Sequence, residues 1–90
     1  MRMDKAIRDF LIEIEVRKYT PKTIRSYKNN LSLFLHFCED NDVTDTEDVR
    51  LGTVKGFMLL MSERGRKGTY INSLLQTVKS FMFSRIRMEL

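Results

Sequence analysis

The spacing of the apolar residues constrains this fold more than any other feature, because it recurs at helical intervals through four segments of the chain. The first segment runs from about Asp4 to Arg17, and its apolar residues fall at i, i+3, i+4 and i+7: Ile7, Phe10, Leu11 and Ile14. The alternation expected of strands has little support, and four glycines and one proline punctuate the pattern. The sequence therefore predicts an all-α fold.

The second predicted helix begins with a start signal at Thr20 and Pro21. A threonine hydroxyl can cap the first turn, and proline is favoured at the first helical position because its missing N–H would have no partner there. One apolar stripe then continues to about Glu39 through Ile24, Tyr27, Leu31, Phe34, Leu35 and Cys38. Leu33 and Phe37 widen this stripe, so we expect the second helix to lie centrally and to contact several neighbours.

A polar connector over residues 41–52, with a short turn near 45–49, separates the second helix from a third. Thr53 is the predicted cap of this third helix, which continues to about Arg64. The residues predicted to face inward are Val54, Phe57, Met58 and Met61.

Residues 65–68 form a glycine-flanked turn, and a fourth helix is predicted from about 69 to 88. Its inward side carries Ile71, Leu74, Leu75, Val78, Phe81 and Met82. Short connections and complementary apolar stripes predict one domain over residues 1–90, built as a compact four-helix bundle.

Composition excludes several classes of protein. The one cysteine, Cys38, cannot form an internal disulfide, and with one histidine, His36, the usual ligands of a structural zinc site cannot be assembled. The longest apolar run, residues 57–61, is far shorter than the roughly 20 residues that span a bilayer. We therefore expect a cytoplasmic protein with no metal, no cofactor and no membrane partner.

The charged residues are segregated along the chain, although the formal net charge is only +4. Between residues 16 and 38 they are all basic: Arg17, Lys18, Lys22, Arg25 and Lys28. Between residues 39 and 48 they are all acidic: Glu39, Asp40, Asp42, Asp45, Glu47 and Asp48. Between residues 64 and 88 they are all basic again: Arg64, Arg66, Lys67, Lys79, Arg85 and Arg87.

Surface helices usually mix the two signs, because opposite charges at i and i+4 stabilise a helix and like charges do not. A single run of one sign is most simply a solvated face. Two acid-free runs, each beginning at a helix N-terminus, instead favour a surface that faces an anion.

Polar side chains share the outward sides of the second and fourth helices at about 100° per residue. On the second helix they are Lys22, Arg25, Asn29, Ser32 and His36, and on the fourth Thr69, Asn72, Ser73, Gln76, Lys79, Ser80 and Arg87. Phe83 points to the same side, either toward a partner or against the core. Cations neutralise phosphates, and short polar side chains hydrogen-bond phosphates or base edges, so this pattern is typical of nucleic-acid binding.

The order of these segments resembles a known family. The matching elements are the Phe10-Leu11 pair, the block YTPKTIRSY at 19–27, the run LSLFLHFC at 31–38, VKGF at 54–57 and TYINSLLQTVKSF at 69–81. In order and spacing the chain is similar to the N-terminal, SAM-like core-binding domain of tyrosine recombinases, the phage-integrase and Xer-type enzymes. The resemblance implies an orthogonal helical bundle that forms half of a C-shaped clamp around duplex DNA in a prokaryotic cell.

The resemblance also implies the DNA-binding residues. On the second helix they are Lys22, Thr23, Arg25, Ser26 and Asn29, and on the fourth Lys67, Thr69, Tyr70, Asn72, Ser73, Gln76 and Lys79. Family members often carry Ser-Pro where this chain has Lys67-Gly68, so the start of the fourth helix is expected to be less well defined.

The resemblance further implies that the chemistry lies elsewhere. The catalytic domain, with its nucleophilic tyrosine, is expected C-terminal to residue 90, so this chain is not expected to be an enzyme by itself. Its expected partners are double-stranded DNA, its own catalytic domain and other recombinase subunits, with helix one and Phe83 as candidate subunit contacts.

The residues themselves offer no catalytic constellation. Tyr19, Tyr27 and Tyr70 are interpreted as a loop aromatic, a core residue and a groove-facing residue, and Cys38 as a small core hydrophobe. One alternative stays open: a helical protein-interaction module that docks a partner through helix one and does not depend on DNA.

Overall fold

The computed structural model describes residues 1–89, and the side chains of residues 1–85. It contains four α-helices and one short 3₁₀ turn: α1 (Met3–Val16), α2 (Pro21–Asp40), the turn Thr46–Asp48, α3 (Leu51–Glu63) and α4 (Gly68–Glu89). The described residues hold no strand beyond a bridge pair between Arg2 and Asp45. The predicted all-α, four-helix architecture is confirmed, including the short turn inside the connector.

The start of α2 is formed as the sequence predicts. The backbone N–H of Thr23 donates to the Oγ1 of Thr20 at 3.2 Å, and Pro21 occupies the first turn. This bond satisfies one of the N–H groups that a helix N-terminus leaves without an intrahelical partner.

The start of α3 differs from the prediction. The helix begins at Leu51, two residues before the predicted cap, and Thr53 therefore lies inside its first turn. The Oγ1 of Thr53 reaches back to accept the backbone N–H of Arg50 at 3.1 Å. A hydroxyl at the third helical position can accept the backbone N–H of the N-cap residue, which is one of the two bonds of a capping box. In the sequence alone, such a threonine looks the same as a threonine that is itself the N-cap.

The start of α4 is regular, although we expected it to be poorly defined. The helix begins at Gly68, and the N–H of Ile71 donates to the carbonyl of Lys67 at 3.0 Å. The turn before it is closed by Gly65, whose φ of 78° lies in the left-handed region that favours glycine.

The core lies around α2, which contacts each of the other three helices as predicted. Phe34 on α2 meets Phe57 on α3 edge to face, with ring centroids 5.2 Å apart. Phe10 on α1 meets Phe81 on α4 in the same way, at 5.6 Å. All four rings are buried, so two aromatic pairs join the four helices.

The acidic connector is fixed at one end of the bundle. The N–H of Met3 donates to the carbonyl of Thr44 at 2.8 Å, and the N–H of Thr46 donates to the carbonyl of Met1 at 2.9 Å. These bonds hold the connector beside the beginning of α1 and the end of α2. The first turn of α2 lies at the opposite end of its 20-residue length, about 30 Å away along the helix.

We expect Thr20→Ala to lower the free energy of unfolding by about 1 kcal/mol, because the first turn of α2 loses its capping acceptor. Chemical denaturation followed by circular dichroism measures this change. Thr20→Ser is the matched control, since it keeps the accepting oxygen and should retain most of the stability. Equal losses in both variants would contradict the assigned cap.

Candidate nucleic-acid interface

A groove runs between the first half of α2 and the beginning of α4. Its lining residues are Lys22, Arg25, Ser26, Asn29, Asn30 and Tyr70. Five of these six are among the residues predicted to bind DNA, and they come from segments separated by 40 residues of sequence. The packing of α2 against α4 therefore brings the two predicted segments together.

The groove is positively charged and holds no carboxylate among its lining residues. Within the described residues, neither Lys22 nor Arg25 has a carboxylate within salt-bridge distance, and both side chains are exposed. Cations near a helix N-terminus are unfavourable for the helix, because the helix dipole is positive there. Lys22 and Arg25 therefore add to the positive potential of the α2 N-terminus, as expected of a site that binds an anion.

Two of the predicted residues have additional roles in the fold. The Thr23 hydroxyl accepts a hydrogen bond from the Thr20 hydroxyl at 2.9 Å, so it also belongs to the cap of α2. Tyr70 is half-buried, and the guanidinium of Arg66 lies over its ring, 5.5 Å from the centroid. Arg66 extends the positive charge to the α4 side of the groove.

The other predicted residues of α4 lie outside the groove. Lys67, Thr69, Asn72, Ser73 and Gln76 are exposed on or just before the outward side of α4. Lys79 is exposed as well, but it lines a different cleft, between α4 and the end of α1. The structure thus places five of the twelve predicted residues in one groove, Thr23 in the cap of α2, and the other six on or just before the outward side of α4, with Lys79 at its far edge.

A buried polar contact beneath the groove was absent from the sequence predictions. Asn30 and Thr77 are both buried, and the Asn30 Nδ2 donates to the Thr77 Oγ1 at 3.0 Å. The sequence did contain a signal for this pair. Asn30 lies between Tyr27 and Phe34 at apolar spacing, and Thr77 falls between Leu74 and Phe81 at the same spacing, so both occupy inward positions of their helices.

Arg85 does not contribute to the exposed positive surface, although it belongs to the basic run of α4. Its side chain is buried, and its Nη2 donates to the Glu13 Oε2 at 3.4 Å and to the Ser84 Oγ at 3.1 Å. A buried guanidinium needs such partners because burial removes its hydration. The side chain of Arg87, which was predicted to lie on the outward side of the helix, is outside the described residues.

The residues considered for catalysis occupy the places predicted for them. Tyr27 stacks on Phe10 with centroids 6.1 Å apart, and Tyr19 lies in the loop between α1 and α2. Cys38 is fully buried, and burial, with a smaller contribution from Glu39, raises the pKa of its thiol to about 11. His36 is exposed beside Glu39. Among the described residues, no group of His, Cys, Asp or Glu could hold a metal ion, and no helix has the length and apolar character needed to cross a membrane.

Comparison with known proteins agrees with this architecture. The family model for the phage integrase N-terminal SAM-like domain matches residues 7–87. The chain therefore belongs to this family, and the expected SAM-like fold is confirmed.

The chain is also similar to a tyrosine recombinase XerD from Oceanobacillus iheyensis, with 27% identity over 81 residues. The match covers 88% of this chain and 27% of that protein, so the chain spans about a quarter of the length of this curated relative. No solved structure matches the chain significantly.

We expect the Cys38 thiol to react slowly in the folded protein. A pKa of about 11, against 9.0 for an unperturbed thiol, lowers the thiolate fraction near pH 8 by roughly 100-fold before steric protection is counted. Labelling with a chromogenic disulfide reagent, in the native state and in denaturant, measures this difference. Native labelling as fast as denatured labelling would contradict the buried position.

Proposed function

We propose that this chain binds duplex DNA as the non-catalytic, N-terminal domain of a tyrosine recombinase. The observation that carries the proposal is the groove between α2 and α4, where Lys22 and Arg25 face solvent without a carboxylate partner. The acidic connector is held at the far end of α2, so it does not neutralise this groove. Membership of the integrase domain family supports the same reading.

The exposed residues divide into two chemical groups. Lys22, Arg25 and Lys67 carry long cationic side chains suited to phosphates. Asn29, Asn72 and Gln76 are exposed amides that can pair with phosphates or with base edges. The major groove of B-DNA is about 12 Å wide and admits an α-helix, so α2, α4 or both could place these amides against bases while the cations bind the flanking backbone.

The chemistry of recombination is assigned to a separate domain in this proposal. Tyr27 packs against Phe10, and Cys38 is fully buried, so neither side chain is placed to act as a nucleophile. We propose that a C-terminal catalytic domain cleaves and rejoins the DNA strands while this domain holds the duplex in place.

We expect the chain to bind duplex DNA weakly and with a steep dependence on salt. With five or six phosphate contacts, a plot of log affinity against log salt concentration would have a slope of about −5. Fluorescence anisotropy with a labelled duplex, over a series of salt concentrations, measures the slope. A slope indistinguishable from zero would contradict the proposal.

Charge reversal tests the location of the interface. Lys22→Glu and Arg25→Glu should each lower DNA affinity by roughly tenfold or more, because each removes a cation and adds a repulsive charge. We expect a loss in the same direction for Lys79→Glu. Lys5→Glu is the matched control, since Lys5 is exposed in the first turn of α1 and does not line the groove. Equal losses for Lys5 and Arg25 would place the interface elsewhere.

A second surface favours the alternative role in protein contacts. Ile12 and Val16 on α1 are 58% and 73% exposed, and Phe83 on α4 is 65% exposed. We propose that this side of the domain meets protein, in the form of another recombinase subunit or the catalytic domain. It is separate from the α2–α4 groove, so both roles are compatible.

We expect Ile12→Ser combined with Val16→Ser to leave the DNA affinity of the isolated chain within about twofold, because both positions lie outside the groove and the exchange does not change the charge of the chain. The same double variant should weaken assembly of the full recombinase on DNA. Gel-shift assays with both proteins distinguish the two effects. Loss of DNA binding by the isolated chain would contradict the separation of the two surfaces.

A further inference from the structure

The contact between Asn30 and Thr77 lies directly beneath the proposed DNA-binding groove. Asn30 is 3% exposed and also lines the groove floor, and Thr77 is 1% exposed. Asn30 belongs to α2 and Thr77 to α4, and the two side chains meet where these helices pack together. The buried polar contact between α2 and α4 therefore lies under the groove and not elsewhere in the core.

The hydrogen bonds define the orientation of both side chains. The Thr77 Oγ1 lies 3.0 Å from the Ser73 carbonyl oxygen and 3.0 Å from the Asn30 Nδ2. A carbonyl can only accept, so the one proton of the Thr77 hydroxyl goes to Ser73, and the hydroxyl must accept its second bond from Asn30. The NH₂ side of the Asn30 amide is therefore the side that faces α4.

The second N–H of the Asn30 amide points toward the Ser73 side chain. The distance from the Asn30 Nδ2 to the Ser73 Oγ is 3.5 Å, a long hydrogen bond. Because the Ser73 oxygen accepts from Asn30, its own hydroxyl proton is directed away from Asn30. Ser73 is exposed, so its hydroxyl is free of the Asn30 contact to donate to a phosphate oxygen beside the cationic groove.

We propose that Asn30 is a positioning residue for DNA binding: through Thr77 it sets how α4 is rotated and shifted against α2, and through Ser73 it orients a phosphate donor. A hydrogen bond between buried partners has a preferred direction and length, whereas apolar side chains pack with several arrangements of similar energy. The contact thus makes one alignment of the two helices the favoured one. This inference rests on the proposed function, because it concerns the same groove.

Replacing both partners of the contact distinguishes an effect on DNA affinity through helix alignment from an effect through stability. Thr77→Val leaves the Asn30 amide buried without its acceptor, and we expect the melting temperature to fall by about 5 °C and DNA affinity by roughly tenfold. Replacing both partners by apolar residues of similar shape, as Asn30→Leu with Thr77→Val, removes the unpaired group and should restore most of the melting temperature. DNA affinity should stay low in the double variant, because the directional contact is still absent.

Two controls complete the test. Thr77→Ser keeps the hydroxyl and should retain wild-type affinity. Ile14→Val, a core substitution on α1, should lower the melting temperature without lowering DNA affinity. Affinities are measured by fluorescence anisotropy at low salt, at a temperature where circular dichroism shows each variant to be folded.

The outcomes are distinct. Restored stability with low affinity supports the positioning role. Affinity that recovers together with the melting temperature overturns it and reduces Asn30 to a packing residue. If the wild-type chain itself shows no salt-dependent DNA binding, the proposed function fails first, whatever the variants do.

Discussion

The burial of α2 against three other helices is the constraint on which the rest of the structure depends. Its inward side meets α3 through the Phe34–Phe57 pair, and the Phe10–Phe81 pair joins α1 to α4 beside it. A domain of 90 residues buries a smaller share of its surface than a larger one, and these four buried rings belong to its limited core. Because α2 is fixed on its inward side, its outward side is held at a defined place beside α4, and this produces the groove.

The electrostatic character of the domain follows from the same architecture. A net charge of +4 is too small to indicate a partner, but the fold separates its components. Backbone hydrogen bonds hold the acidic connector beside the chain's beginning, at one end of α2. Lys22 and Arg25 lie at the other end, where the helix dipole adds to their charge instead of compensating it. The modest total is therefore the sum of two regions of opposite sign.

Much of the fold could be predicted from the sequence, because helix periodicity and start signals are local properties. The Thr20–Pro21 start and most inward residues of the four helices needed no knowledge of the tertiary structure, although Leu75, predicted to face inward, is only half-buried and does not join the core. The N-cap of α3 was predicted three residues late, at Thr53 instead of Arg50, because a threonine that caps forward and one that bonds backward look alike in a sequence. The burial of Arg85 could not be predicted either, since its partner Glu13 lies 72 residues away and becomes its neighbour only when α1 packs on α4.

The candidate site was predictable in part for the same reason. The outward positions of α2 and α4 follow from helical geometry, but which of them share one groove depends on how the helices cross. Tyr70 joins the α2 residues there, whereas Lys79 lies toward α1. Asn30 and Thr77 were missed although both occupy inward positions, because a buried polar residue shows its role only when its partner is known.

The central claim is that the α2–α4 side of the domain, and not its acidic end, meets DNA. Titration of the ¹⁵N-labelled chain with a DNA duplex, followed by amide chemical-shift changes, tests it most directly. We expect the largest changes over the first half of α2 and from Lys67 to Gln76, with little change from Glu39 to Asp48. Changes concentrated on α1 or on the connector, with the groove unaffected, would contradict it.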